Sequence, residues 1–454
     1  GGLLPGRLTD TSGAGKKDGH EGDGKKKGNQ RLRQPPTAPA GRRRLQRTIV
    51  PGLHRLCTST REFVIMHSPS KRLITSMSKR LAVSNLQGWA DLPDDLLHSI
   101  VALLGSSLDL LAFAATCRPW RAAFFSHPSK STLCFSCPPV LIRQNPIQPP
   151  SNGHAKPQRF NLVDPSNTGT NYRCQIREEI LQKFYFAGSS YGQLIFFRHR
   201  CCLVVDAFSG AEVSPPCLPE LNHNVFESYY CSTLTAPLAS PNSRLLASTK
   251  SSLFDWPVGS DSWSELKLSN VQVRQIVELN GQFIAMDDHM KIYTLQLAPQ
   301  LGLQDLPIEW CGGKIPSMDS KPFLVVCRDM LLMVCYSLVS LFRGSSFCTL
   351  HRLDMSTNPA KWVEMKKLDN WALFVAADIR TPPFSCVNPE RWGGRSNCLY
   401  YTHHSEPWGV RWLGNEPDLL KDPSASRDLV FGRNMWRYPQ SLWVYPSMFY
   451  SDRK

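Results

Sequence analysis

From about residue 160 to residue 450 the chain consists of short apolar runs separated by turns. The clearest unit is Gln275–Met286, in which Asn280-Gly281 interrupts two alternating runs. This dipeptide is the strongest short-range signal for a β-hairpin. Asp287–His289 then turns the chain into a third run, Lys291–Leu295. Long amphipathic helices are absent, so the pattern predicts a mainly β domain of small meanders.

A loose internal repeat indicates how these meanders are arranged. Ser262–Leu266 (Ser-Trp-Ser-Glu-Leu) returns as Lys361–Met365 (Lys-Trp-Val-Glu-Met). The spacing corresponds to two propeller blades of roughly 40–50 residues each. Residues 161–450 would then form a β-propeller of about six blades. Periodicity alone also permits a pair of β-sandwiches, because both architectures use short strands with frequent turns.

A different pattern precedes this domain, at residues 86–130. Pro93 suits the start of a helix, and Asp94 and Asp95 complement the dipole of its first turn. The apolar residues that follow recur at helical spacing and form one face, Leu96, Leu97, Ile100, Leu103 and Leu104. Gly105 ends this helix, Ser107 caps a second, and Pro119 opens a third. Three short helices bury too little to stand alone, so they need either the following domain or a partner.

The landmarks of this helical segment resemble the F-box. They are Leu92-Pro93-x-x-Leu96-Leu97-x-x-Ile100, then Asp109-Leu110-Leu111, then Cys117-Arg118-x-Trp120. The resemblance implies docking on the Skp adaptor of a cullin–RING ubiquitin ligase. By position, Leu92, Pro93, Leu96, Leu97 and Ile100 would face the adaptor. Leu110, Leu111, Cys117 and Trp120 would hold the helices together or complete the adaptor-binding face. The alternative is a helical cap packed wholly on its own chain.

The β-rich domain resembles the KIB-type propeller, an F-box-associated, kelch-like domain of plant proteins. The resemblance rests on Gly188–Ile195, Val205–Glu212, the Asn280-Gly281 hairpin, Lys361–Phe374, Asn397–Thr402 and Ser441–Ser447. It implies a mainly β fold with a small all-α N-terminal module. The function it implies is that of a non-catalytic receptor subunit, whose propeller holds a protein substrate for ubiquitination. Aromatic residues in predicted loops are candidate substrate contacts, or else blade core: Trp256, Trp310, Trp392 and Trp408.

The positive charge is concentrated outside these two regions. The first 80 residues carry 18 basic and 5 acidic side chains, which accounts for 13 of the net +15. We interpret residues 1–85 as a disordered basic tail, and residues 131–160 as a Pro-rich linker. Lys25–Lys27 with Arg42–Arg44 could form a nuclear import signal or a weak nucleic-acid contact, and a solvated tail is the preferred interpretation. Nucleic-acid binding through the tail and a scaffold without ligase activity remain the alternative functions.

Motifs for catalysis, metals or cofactors are weak. Cys134 and Cys137 form an isolated CxxC pair, and 15 scattered cysteines favour reduced thiols in the nucleus or cytoplasm. Gly188-x-Ser190-x-Gly192 matches a nucleophile elbow, but a strand rather than a helix is predicted after it. The longest apolar stretch, 323–342, is interrupted by Arg328 and Asp329, which argues against a membrane span. We therefore expect no catalytic residue, no cofactor and no metal.

Overall fold

The computed structural model describes residues 88–144, 160–219, 231–269, 271–311, 321–336, 348–402, 407–413 and 441–451. The predicted tail, residues 1–85, lies outside these ranges. All the described residues belong to one compact unit.

A bundle of short helices, the helical module, occupies residues 89–135. It starts with a 3-10 turn, Trp89–Asp91, and continues with α1 Asp94–Leu103, α2 Ser107–Thr116, α3 Arg118–Ser126 and α4 Lys130–Phe135. Pro93 directly precedes α1, with Asp94 and Asp95 in the first turn. Ser106, rather than the predicted Ser107, caps α2, because its hydroxyl accepts a hydrogen bond from the Asp109 amide at 3.0 Å. The predicted three helices are present, and α4 is a fourth that lies in the predicted linker.

The other elements of the described residues are strands, one further α-helix, α5 Glu178–Lys183, and two 3-10 turns, Pro389–Trp392 and Ser447–Phe449. In chain order the strands are β1 Val140–Gln144, β2 Phe160–Asp164, β3 Asn167–Arg173, β4 Tyr185–Ser190, β5 Gln193–Arg198, β6 Cys201–Asp206, β7 Glu212–Val213, β8 Cys231–Leu234, β9 Arg244–Ser248, β10 Ser252–Pro257, β11 Ser264–Lys267, β12 Val273–Leu279, β13 Gln282–Asp287, β14 Ile292–Gln296, β15 Gly302–Asp305, β16 Ile308–Cys311, β17 Lys321–Cys327, β18 Met330–Tyr336, β19 Cys348–Asp354, β20 Ala360–Met365, β21 Trp371–Val375, β22 Phe384–Val387, β23 Cys398–Thr402, β24 Trp408–Trp412 and β25 Leu442–Val444.

These strands form six separate sheets, as expected for a six-bladed propeller. The sheets are β25-β1-β2-β3, β4-β5-β6-β7, β8-β9-β10-β11, β12-β13-β14-β15, β17-β18-β19-β20-β16 and β22-β21-β23-β24. Pairing is antiparallel except where β16 joins β20 and where β21 joins β23. The predicted fold class, mainly β with a small N-terminal helical module, is confirmed, and the sandwich alternative is excluded.

Each sheet buries both of its faces against neighbours, as β5 illustrates. Leu194 and Phe196 pack into a cluster with residues of the first sheet, such as Val140. Ile195 and Phe197 pack into a different cluster with residues of the third sheet, such as Phe254. Burial on alternating sides explains why the strands are almost continuously apolar rather than strictly alternating.

The first sheet closes the ring. Its strand β25 comes from the C-terminal end and pairs antiparallel with β1, with Leu141 opposite Trp443. Trp443 is 1% exposed, and its indole N–H donates to the Val375 carbonyl of the sixth sheet at 3.0 Å. The predicted linker boundary of 131–160 is therefore wrong at its start, because residues 140–144 are a structural strand of the propeller.

Two sequence signals correspond to particular features of the sheets. Asn280 and Gly281 both have positive φ, 52° and 79°, as the predicted tight turn between β12 and β13 requires. Trp263 precedes β11, and Trp362 lies in β20. These strands belong to the third and fifth sheets, so the repeated segments are two blades apart, as predicted.

Removing the Trp443 side chain should weaken ring closure. We expect Trp443→Ala to lower the free energy of unfolding by about 3–5 kcal/mol, because it empties a buried aromatic site between two sheets. The exposed Trp412, on the outer strand β24, is the matched control, and Trp412→Ala should cost less than about 1 kcal/mol. Equal losses in chemical denaturation would contradict a closing role for Trp443.

His351 should make stability depend on pH. It is fully buried in β19, and neither ring nitrogen has a hydrogen-bond partner among the described residues. Burial lowers the pKa of His351, and the nearby Glu364 opposes this shift only in part. Because the unfolded chain then binds a proton more readily than the folded one, stability should fall as pH drops below about 6.5.

The measurement is the urea midpoint at several pH values for the parent protein and His351→Leu. The His351 contribution cannot exceed about 1.4 kcal/mol per pH unit. We expect the variant to lose part of the acid sensitivity. An unchanged pH profile would show that His351 does not contribute to it.

Candidate functional site

The interior of the helical module contains several residues that the sequence placed on a docking face. Leu97 and Leu110 are fully buried, and Trp120 is 2% exposed. The Trp120 ring packs 4.7 Å from Phe113, and its indole N–H donates to the Trp89 carbonyl at 2.9 Å. The prediction that Leu97 faces an adaptor is therefore wrong for the folded chain. Leu110 and Trp120 hold the helices together, which was one of the two roles considered for them.

Other apolar side chains of the same module point to solvent. Leu96 is 53% exposed and Leu103 is 84% exposed, with the half-buried Ile100 between them. Because these positions are spaced i, i+4 and i+7, they form one stripe along α1. We call Leu96, Ile100 and Leu103 the α1 stripe. The exposed Pro93 and Trp89, the latter 53% exposed, extend it at the start of the helix.

The remaining predicted adaptor residues are only partly available. Leu92 and Cys117 are half-buried against the core of the helical module. Leu111 is half-buried against a different cluster, which contains Val140 and Phe196 of the propeller. Leu111 thus helps to attach the module to its own propeller. Of the nine predicted residues, the structure exposes two, Pro93 and Leu96, and buries three, Leu97, Leu110 and Trp120. The other four are half-buried: Leu92, Ile100, Leu111 and Cys117.

The end of α1 is held by a side chain of the propeller. Arg391 donates to the carbonyls of Ala102 and Leu104, the second at 3.1 Å. The last carbonyls of a helix lack internal partners, so a guanidinium there satisfies them and complements the helix dipole. Gly105 lies against the Arg391 backbone, and a Cβ on it would be 3.3 Å from the Arg391 carbonyl oxygen. The next helix is attached as well, because Ser106 donates to Asp164, the last residue of β2.

A second set of contacts joins α4 to the C-terminal segment. Tyr445 donates from its hydroxyl to the Cys137 carbonyl at 2.9 Å, and its ring packs 5.3 Å from Phe135. Phe449 lies 6.2 Å from Phe124 of α3. Burial raises the pKa of Tyr445 far above its ordinary value, so the phenol stays protonated and can donate. The helical module is thus attached at both ends, and the α1 stripe has a defined position relative to the propeller.

The four tryptophans predicted as substrate contacts are mostly core. Trp256 is 3% exposed and donates to the Ser260 carbonyl at 2.8 Å, and Trp392 is 6% exposed and contacts the Cys386 sulfur. Trp310 packs 5.1 Å from His351, and Trp408 packs 6.1 Å from Trp443, both half-buried. Trp256 and Trp392 are therefore not exposed anchors, and the blade-core interpretation holds for them. Substrate contact by Trp310 or Trp408 stays a prediction.

The CxxC pair and the Gly-x-Ser-x-Gly segment are both built into the fold. Cys134 and Cys137 are both buried, and burial raises the pKa of Cys134 to about 12. Gly188–Gly192 forms the end of β4 and the turn into β5, as predicted, and the Ser190 hydroxyl lies 2.8 Å from the Thr233 hydroxyl. Within the described ranges there is no cluster of three His, Cys, Asp or Glu residues that could hold a metal. No described helix is long and apolar enough to cross a membrane.

Sequence reasoning missed the loop at residues 376–383, between β21 and β22. Asp378 and Arg380 form a buried ion pair there, and Arg380 also donates to the Phe186 carbonyl of β4. The Arg380 guanidinium lies 5.2 Å from the Phe186 ring centroid. This loop links the sixth sheet to the second beside the short strand β25. An Asp-x-Arg pair has no distinctive spacing, so only the tertiary contacts identify it.

A small helical module fused to a six-bladed propeller is the architecture of F-box propeller proteins. Comparison with known families agrees. Residues 89–136 match the F-box-like family, and residues 160–431 match the KIB1-4 beta-propeller family. The chain therefore belongs to the KIB1-4 β-propeller family, with an F-box-like module ahead of the propeller.

Individual relatives are more distant. Over 338 aligned residues the chain is 23% identical to an Arabidopsis thaliana protein named as an F-box protein. The alignment covers 70% of this chain and 88% of the relative. Among solved structures, the WD40 domain of SCAP from fission yeast gives a TM-score of 0.28 at 9% identity, covering 52% of this chain and 56% of that one. The N-terminal domain of Nup159 gives 0.25 at 9% identity, covering 46% and 57%. The chain thus spans a little over half of those two structures, and the fold assignment rests on the six sheets alone.

Truncating Leu97 should destabilise the protein far more than truncating its neighbour Leu96. Leu97→Ala should lower the free energy of unfolding by about 2–5 kcal/mol, because it opens a cavity in the helical module. Leu96→Ala should change it by less than about 0.5 kcal/mol, because that side chain is exposed. Urea denaturation of both variants provides the measurement. Equal effects would contradict the assignment of Leu97 to the interior and Leu96 to the surface.

Proposed function

We propose that this protein is the substrate-recruiting subunit of an Skp–cullin–F-box ubiquitin ligase. The observation that carries the proposal is the α1 stripe, an apolar face on the module that matches the F-box-like family. In this role the α1 stripe, with Pro93 and Trp89, docks on the Skp-type adaptor. The adaptor then connects the chain to a cullin–RING ligase.

The chemistry of the surface suits a protein partner. Burying an exposed leucine contributes about 1.5–3 kcal/mol, so Leu96 and Leu103 together can support a stable contact. Asp91, Asp94, Asp95 and Ser99 are exposed beside these side chains. An apolar centre with a polar rim is the usual composition of a protein interface.

The propeller is proposed to bind a protein target for ubiquitination. The Arg391 and Tyr445 contacts hold the helical module against the propeller, so a bound target would keep a defined distance from the ligase. Ubiquitin transfer then depends on proximity, and this chain need not supply a reacting group. We further propose that the protein acts in the nucleus or cytoplasm, which the scattered cysteines of its sequence favour.

A scaffold without ligase activity is the second candidate. It is favoured by the extent to which the helical module packs on its own chain, through Leu111, Phe135 and Ser106. In that case the module is a structural cap. The propeller would then bind its partner without an adaptor.

Adaptor binding distinguishes the two candidates. We expect the parent chain to bind a purified plant Skp-type adaptor. Leu96→Asp should weaken that binding by at least about tenfold, and Leu96→Asp with Leu103→Asp should weaken it further, because each change places a charge in an apolar contact. Met355→Asp is the matched control, since Met355 is 45% exposed on the propeller turn after β19.

Binding is measured by calorimetry, and each variant's thermal midpoint is compared with that of the parent. If the parent fails to bind, the ligase role is wrong and the scaffold remains. If the double variant binds as tightly as the parent, the α1 stripe is not the docking surface.

A further inference from the structure

Two exposed cysteines lie side by side at the edge of the second sheet. The Cys201 and Cys217 sulfurs are 2.8 Å apart, and both residues are exposed. Cys201 is the first residue of β6, and Cys217 lies in the segment that follows β7. The proposed function uses neither residue, and we call them the thiol pair.

The backbone around the thiol pair is held in an antiparallel arrangement. The Leu218 amide donates to the Arg200 carbonyl at 2.9 Å, and the Arg200 guanidinium donates to the Leu218 carbonyl at 2.6 Å. These bonds place residues 200 and 218 opposite each other, so Cys201 and Cys217 form the next opposed pair. Opposed residues of antiparallel strands have Cα atoms about 4.5–5.5 Å apart, within the range that a disulfide spans.

The core fixes the segment that carries Cys217. Leu218 is fully buried in the cluster between the second and third sheets. The Trp263 indole N–H donates to the Pro216 carbonyl at 2.7 Å. Cys217 is thus anchored on both sides, and its thiol stays beside that of Cys201 rather than sampling many positions.

We propose that Cys201 and Cys217 are a redox modification site that forms an intramolecular disulfide with low-molecular-weight disulfides such as oxidised glutathione. One cysteine thiolate attacks a glutathione sulfur, which breaks the glutathione S–S bond and releases one glutathione thiolate. The second cysteine thiolate attacks the protein sulfur of this mixed disulfide and releases the second glutathione. Two protein thiols are oxidised, one oxidised glutathione is reduced to two thiols, and the two thiol protons pass to the departing glutathiones.

Closing the bond ties the segment after β7 to the start of β6.

The pKa of Cys201 is raised, chiefly because its thiol shares a hydrogen bond with Cys217 and further because it is partly desolvated. Since the thiolate is the attacking species, the exchange should become faster as pH rises. Other thiols near this site, such as Cys202, are buried and inaccessible to glutathione.

The test incubates the purified full chain with defined ratios of reduced to oxidised glutathione and then alkylates the remaining thiols. Between Cys201 and Arg244 the sequence contains no Lys or Arg, so trypsin alone leaves both cysteines on one peptide. Adding a protease that cleaves after Asp and Glu separates them at Asp206 and Glu212. This digestion leaves Cys201 and Cys202 on one peptide, so fragmentation of the non-reduced linked peptides in the mass spectrometer identifies which of the two is joined to Cys217.

We expect peptides linked through Cys201 and Cys217. The exposed Cys311 is the internal comparison, because it can form only a mixed disulfide unless another thiol reaches it. The thiol pair should be half-oxidised at an oxidised-glutathione concentration at least about tenfold lower than that needed for Cys311, since its second step is intramolecular. Cys201→Ser and Cys217→Ser should each trap glutathione on the remaining cysteine.

The proposal is overturned if both cysteines of the parent carry glutathione without linking. It is equally overturned if Cys201 links to a different cysteine, or if the pair stays reduced in oxidised glutathione alone.

Discussion

The pairing of β1 with β25 is the contact on which the other arrangements depend. It joins residues 140–144 to residues 442–444 and completes the first of six sheets. Because α4 runs directly into β1, and β25 runs directly into Tyr445, the same pairing brings the helical module against the C-terminal segment. The β1–β25 pairing thus closes the ring and brings α4 to the C-terminal segment, while Arg391 and Ser106 attach the ends of α1 and α2 separately.

This arrangement explains how the apolar residues of the helical module are divided. A bundle of four short helices has too little interior to be stable alone. Residues such as Leu111, Phe124 and Phe135 pack on or beside the propeller segments, which supply the missing core. Leu96 and Leu103 of the α1 stripe stay uncovered, whereas Ile100 between them packs partly against this core. A partner that covers the α1 stripe would meet a surface that is already positioned.

Local patterns allowed much of the fold to be predicted. The Asn280-Gly281 turn, the start of α1 after Pro93 and the two-blade repeat of the Trp263 and Trp362 segments follow from local dihedral preferences and periodicity, and the structure contains all three. The prediction failed where distant parts of the chain meet. Residues 140–144 looked like a linker, because nothing near them in sequence shows that a strand some three hundred residues later pairs with them. The ion pair of Asp378 and Arg380, in the loop at residues 376–383, was not predicted for the same reason.

The class of protein can be predicted from three features of the amino-acid sequence. They are short strands with tight turns, a preceding helical segment with F-box landmarks, and a charge excess confined to the N-terminal region. Which apolar side chains are covered by the rest of the chain follows only from the tertiary contacts. Leu96 and Leu97 are adjacent and chemically identical, yet one is half-exposed and the other fully buried. Helical periodicity defines faces but not what packs against them, and burial is a property of contacts between distant segments. Contacts between distant segments likewise place Trp256 and Trp392 in the core and Cys201 beside Cys217.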